Sequence, residues 1–195
     1  MDVSFAILQD TIDFNYSGDI RETKFNGLRV AWVEPLAPTI LGGIELGYLE
    51  ISQYSNPIPA GQTGSGEFLG INLSFLMMDN PRYRLLTRLG YRYSEARHTV
   101  EGQAVQWDWN QGVIELEGTM HYSERLSITL SVGAIAINGR EEAQGDIANA
   151  QPFRSDQTVL GHAGVQLGLD HDSYIGIQVD MGAMWGGQII FGRFF

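Results

Sequence analysis

The chain has 195 residues, 23 acidic against 12 basic side chains, a formal charge of -11 and no cysteine. That charge disfavours nucleic acid and anionic membrane surfaces as partners. The missing thiols exclude a disulfide framework, a thiolate metal site and a cysteine nucleophile. The length suits one all-β barrel or sandwich, so a single domain is expected over 1–195. No apolar run reaches the roughly 18 residues that a spanning helix needs.

Ten segments alternate with the period of a strand: 3–16, 22–33, 40–53, 66–78, 82–97, 105–122, 125–138, 156–169, 173–184 and 187–195. No helical period competes with them. The connections EPLAP (34–38), MDNPR (78–82), YSER (122–125) and DHDS (170–173) are short and use Pro, Asn, Asp and Ser as turn residues. Between them lie YSGDIRE (16–22), QYSNPIPAGQTGSG (53–66), ARHTVEGQA (96–104), NGREEAQGDIANAQPFRSD (138–156) and MWGGQ (184–188), three of them long and polar. Short turns at one end and longer loops at the other, with both termini at the short-turn end, are the signature of an up-and-down membrane barrel.

Period alone does not say whether an apolar face looks into a soluble core or out to lipid. The other face does. In 82–97, Tyr83, Leu85, Leu89, Tyr91 and Tyr93 oppose Arg84, Leu86, Arg88, Gly90 and Arg92. In 105–122, Ile114, Leu116, Gly118, Met120 and Tyr122 oppose Glu115, Glu117, Thr119 and His121. Asp13, Arg29, Glu45, His162, Gln166, Gln178 and Asp180 are assigned to the same polar face. A soluble sandwich would carry them as solvated charges. The polar face is also rich in glycine, at Gly70, Gly90, Gly133, Gly164, Gly168, Gly176 and Gly182. A narrow interior needs small residues beside long ones. Trp32, Tyr48, Tyr83, Tyr93, Tyr122, Tyr174 and Trp185 fall near strand ends, where aromatic rings suit a membrane–water boundary. In the strand 173–184, Ile175 to Ala183 are therefore expected to face lipid, with Gln178 and Asp180 in the lumen.

With this pattern the chain resembles the small outer-membrane β-barrels of Gram-negative bacteria, of the OmpA-like and OmpX-like type. The most specific element is the final strand GQIIFGRFF, where Phe195, Phe191 and Ile189 match the assembly signal of that group. Arg193 departs from it, since an apolar residue is usual there. The resemblance implies a closed antiparallel barrel of ten strands, or of eight, in the bacterial outer membrane, with a signal peptide removed. It implies outer-membrane lipid, lipopolysaccharide and the barrel-assembly machinery as partners. The last segment would close the barrel by pairing with the first, leaving no edge in lipid.

Arg84, Arg88, Arg92, Glu115 and Glu117 form the densest charged group, expected to be a lumen ion-pair network that plugs the interior. A gated ion path or a small polar ligand site is the other reading of it. A weaker group is Ser94, Glu95 and His98 with Asp108 on the next strand, the residue types of a lipid-modifying hydrolase or acyltransferase, which needs nucleophile, base and acid within hydrogen-bond reach. His121, His162 and His171 lack metal-ligand spacing. GQTGSG (61–66) lacks the lysine and helix of a phosphate loop, and the two rings of WDW (107–109) suit a girdle or loop packing. No cofactor and no metal are expected. The favoured function is a non-enzymatic structural, surface-binding or narrow-pore barrel. The alternatives are the lipid-modifying enzyme and a soluble β-barrel binding an apolar ligand.

Overall fold

A computed structural model describes residues 1–53, 63–100, 102–145 and 148–195. They form antiparallel strands β1 (Asp2–Tyr16), β2 (Asp19–Ala37), β3 (Ile40–Gln53), β4 (Thr63–Asp79), β5 (Tyr83–Val100), β6 (Gln103–His121), β7 (Leu126–Gly145), β8 (Asn149–Ser155), β9 (Val159–Gly168), β10 (Ser173–Gly182) and β11 (Trp185–Phe194). Ten of them close a ring in the order β1 to β7, β9, β10, β11. Closure runs from Asp2 opposite Phe194 to Thr11 opposite Trp185. The chain ends meet there, with the Phe195 amide donating to the Met1 carbonyl at 2.9 Å.

The eleventh strand alters the shape. β9, β10 and β11 are 10 residues each, whereas β6 and β7 have 19 and 20. Above the short strands, β8 fills the wall. It pairs with β7 from Asn138–Arg154 to Ala143–Asn149, and with β1 at Phe14–Ser155 and Asn15–Arg154. The wall is thus ten strands around at the end holding the termini and eight at the far end.

The apolar side chains change sides at this step. In the ten-stranded part, Ile7, Leu28, Leu46, Leu69, Ile71, Leu73, Ile114, Leu130, Val132, Val165, Ile177 and Ile189 point outward and are exposed. On β4 this apolar run extends from Leu69 to Met77. Nine residues of tilted strand rise about 25 Å, the height of a bilayer's apolar band. In the eight-stranded part, Phe14, Tyr16, Phe25, Ile51, Val105, Trp107, Trp109, Ile137 and Phe153 point inward and are buried in one cluster. Their outward neighbours Glu22, Asn26, Glu67, Glu95, Asn110 and Arg140 are exposed. The far section has the apolar interior and polar exterior of a soluble β-barrel, built on the same strands as a membrane barrel.

Several expectations change. The far-end loops are shorter than the sequence suggests, because the strands continue. YSGDIRE collapses to a two-residue turn with Ser17 at φ 57° and Gly18 at φ 106°, the pair of positive φ values a tight hairpin requires. ARHTVEGQA is mostly the β5–β6 hairpin, and the segment 138–156 holds the end of β7 and all of β8. Part of QYSNPIPAGQTGSG, residues 54–62, lies outside the described residues. Asp13 alternates with the buried Ile12 and Phe14 and so points outward. Tyr174 points into the lumen, where its hydroxyl donates to Asp2 at 3.0 Å. Ala183 turns inward because Gly182, at φ 92°, reverses the chain before it.

Candidate functional site

The polar interior of the ten-stranded section is a cavity of about 460 Å³. Its lining runs from Asp2, Tyr174 and Phe194 near the chain ends to Leu160 and Met184 beneath the apolar cluster.

Two ion groups cross the cavity. In the first, Arg88 reaches Glu117 at 2.9 Å and Glu115 at 3.9 Å. The register sets this up, since Arg88 lies opposite Glu115 and Leu86 opposite Glu117 on the β5–β6 hairpin. From β9, His162 places Nδ1 at 3.3 Å from Glu115 and Nε2 at 3.8 Å from Glu117, and Asp180 of β10 is 4.0 Å from Nδ1. In the second, Arg92 grips Glu45 of β3 through Nη2 at 2.7 Å and Nε at 2.8 Å, and lies over the Phe68 ring. Arg29 of β2 adds a contact to Glu45 at 3.7 Å and donates to Gln188 of β11 at 2.7 Å. Glycine makes the room: a Cβ on Gly70 would come within 2.7 Å of Glu45, and one on Gly133 within 2.8 Å of Glu115.

The expected network divides accordingly. Arg88 meets both glutamates, whereas Arg92 leaves them for Glu45. Arg84 lines the cavity, and its buried Nε has no hydrogen-bond partner among the described residues. Glu45, Arg29 and His162 stood on the expected polar face, but strand register, not spacing, joins them to the arginines.

Ser94, His98 and Asp108 do not converge. Ser94 is buried in the interior, and His98 shares its face four residues along, about 13 Å away at strand rise. Its Nδ1 bonds the Thr63 carbonyl at 2.8 Å. Asp108 lies opposite Glu95 and shares its outward face, where the Tyr93 hydroxyl donates to it at 3.3 Å. With the acid outside the wall and the other two inside, they form no charge-relay arrangement. The WDW rings do not form a girdle, since Trp107 and Trp109 point inward.

A third polar group tops the apolar cluster and is not legible in spacing. The Glu141 carboxylate is 1% exposed. It accepts from Trp107 Nε1 at 2.8 Å, Tyr16 Oη at 3.1 Å, Gln151 Nε2 at 3.1 Å and Arg21 Nη1 at 3.5 Å. Gln53 in turn donates to Tyr16 Oη at 3.0 Å and Thr23 Oγ1 at 2.8 Å. A buried carboxylate persists only when donors surround it. Burial, then the Glu141 charge, push the Tyr16 hydroxyl well above its usual range.

The final strand shows Ile189, Phe191 and Phe195 exposed on the outer face, and the Arg193 guanidinium 5.4 Å from the centre of the Phe195 ring. That contact lets a charge sit at the edge of the apolar band.

No protein-family model matches the sequence, and no curated protein does. Solved structures match over the whole chain. The outer membrane protease OmpT from Escherichia coli superposes with a TM-score of 0.55 at 11% identity, covering 98% of this chain and 92% of its own. An outer membrane channel from Pseudomonas putida F1 gives 0.53 at 12% identity, covering 100% of this chain and 95% of its own. Together with the exposed apolar band and the closed ring of ten strands, these likenesses identify the fold as that of the small outer-membrane β-barrels of Gram-negative bacteria.

Proposed function

We propose that the chain is a non-enzymatic barrel of the bacterial outer membrane, closed at rest, serving as a structural or surface-binding protein. In this reading the eight-stranded end stands outside the membrane and the cavity opens toward the periplasm. One observation carries it: the interior above the cavity is filled by strand-borne apolar side chains, with Trp107 1% and Phe14 0% exposed. Interiors packed in this way have few voids as large as a water molecule, so the cavity ends blind. A barrel extended beyond lipid by its own strands is a stiff post, and its polar outer face is available to surface ligands and to lipopolysaccharide. The assembly machinery would recognise Phe195, Phe191 and Ile189. The cavity of about 460 Å³ favours a narrow pore as the second reading. The separation of Ser94, His98 and Asp108 weighs against the hydrolase.

Planar-bilayer recording tests the proposal. The purified barrel is expected to give almost no steady current. A large, stable open-state current would overturn the closed reading in favour of a porin.

A further inference from the structure

The wall is not equally strong all round. β1 and β11 share ten ladder rungs and β7 and β8 share six, but β8 and β1 share only Phe14–Ser155 and Asn15–Arg154. Four further contacts reinforce this seam. The Asp156 amide donates to the Asp13 carbonyl at 2.9 Å, Asn15 Nδ2 donates to Asp156 at 3.1 Å, and the Phe153 ring stacks on Phe14 at 4.4 Å and lies tilted against Tyr16 at 5.2 Å. Each backbone and side-chain bond here can be exchanged for one to water at small net cost, because the seam lies above the apolar band.

The buried carboxylate straddles the same line. Glu141 stands on β7 and keeps Trp107 of β6 and Gln151 of β8 on its own side. Tyr16 of β1 and Arg21 of β2 reach it from the other. Of these four bonds, parting β8 from β1 would release the latter two. Leu160 and Met184, which pack against the apolar cluster beneath, also line the cavity. They are the layer between the cavity and the seam.

We infer that the β1–β8 seam is the outer gate of this barrel. The β7–β8 hairpin swings from β1 with Phe153 as its stopper and Glu141 as its latch, and admits small polar solutes to the lumen. This goes beyond the resting closed state proposed above. A steady wild-type current contradicts that state, whereas the experiments below address the gate alone.

The absence of native cysteine permits a clean test. Position 154 lies opposite Asn15 across the seam and opposite Asn138 within the hairpin. Cross-strand neighbours are close enough for a disulfide. In the Phe153→Ala background, potassium chloride currents should show openings at least tenfold more frequent than in wild type. Oxidised Asn15→Cys/Arg154→Cys should abolish them and reductant restore them. Oxidised Asn138→Cys/Arg154→Cys should leave them unchanged. Unchanged openings with the seam disulfide, or equal suppression by both disulfides, would overturn the gate. If Phe153→Ala does not fold, hydrogen exchange on the wild type decides. Amides at 14–15 and 154–156 should exchange at least tenfold faster than those at 107–109 of β6, which lie in the same section and are paired on both sides, and equal protection would refute the proposal.

Discussion

Trp109 and Ile114 stand five residues apart on β6 and occupy opposite sides of the wall: the indole is 3% exposed inside the barrel and the Ile114 side chain 52% exposed outside. Between them the alternation keeps its period of two and reverses its phase. β1 does the same between Ile7, outward, and Ile12, inward. A strand passing from lipid to water must do this if its interior is to be dry in the second section and polar in the first.

The outward band gives the first prediction. The protein should need detergent or lipid to remain dispersed and should migrate differently on gels before and after heating. A monodisperse, detergent-free monomer would contradict the reading.

The inward cluster gives the second. Trp107→Ala removes the largest fully buried side chain and one donor to Glu141. A loss of about 3–5 kcal/mol is expected, measured by denaturant unfolding in detergent. Ile114→Ala, outward, should cost far less.

The charged lumen gives the third. Arg88→Ala leaves Glu115 and Glu117 without their guanidinium partner; breaking a fully buried pair costs on the order of 3–5 kcal/mol, and because the Arg88 side chain is 38% exposed the loss here should fall below that range. Combined with Glu117→Ala, the loss should fall below the sum of the single losses. The pair at 2.9 Å should couple more strongly than Glu115 at 3.9 Å. Strict additivity in the unfolding cycle would remove the ion-pair account.

Tyr16 gives a pH prediction. Its folded pKa is raised above the ordinary value of 10.0, so its contribution is fully present below about pH 10. Above that pH the unfolded chain ionises first and stability falls. Tyr16→Phe should flatten this alkaline decline, whatever its effect at neutral pH. Parallel declines in the two proteins would count against burial of the hydroxyl beside Glu141.

Phe195 gives the fifth. Deleting it should lower the yield of outer-membrane barrel in cells and leave refolding into detergent mostly intact. Equal yields in cells would argue against Phe195 as an assembly signal.

The ten strands of the ring were legible because each carries alternation over lipid-crossing length. β8 was not: in NAQPFRS only Phe153 is a large inward apolar residue, and Pro152 interrupts the pattern. The reversal of phase was written in IDFNY of β1 and VQWDWN of β6, but assigning one environment to a whole strand hides it. Arg88 with Glu115 and Glu117 followed from adjacent strands and a short turn. The Glu45–Arg92 pair needed the register across β3, β4 and β5, which spacing does not supply. Register also parts Asp108 from Ser94, because it sets Asp108 opposite the outward Glu95. Glu141 was hidden in a stretch whose polarity reads as a loop.

The two-section barrel can be tested most directly by nitroxide labels on single cysteines at outward positions, with oxygen and a water-soluble nickel chelate as collision partners. Labels at Leu69, Ile114, Leu130 and Ile177 should collide mainly with oxygen, and labels at Glu22, Glu67, Glu95 and Arg140 mainly with the nickel chelate. Uniform oxygen preference along β7, from Leu130 to Arg140, or nickel access at Ile114 and Leu130, would contradict the account.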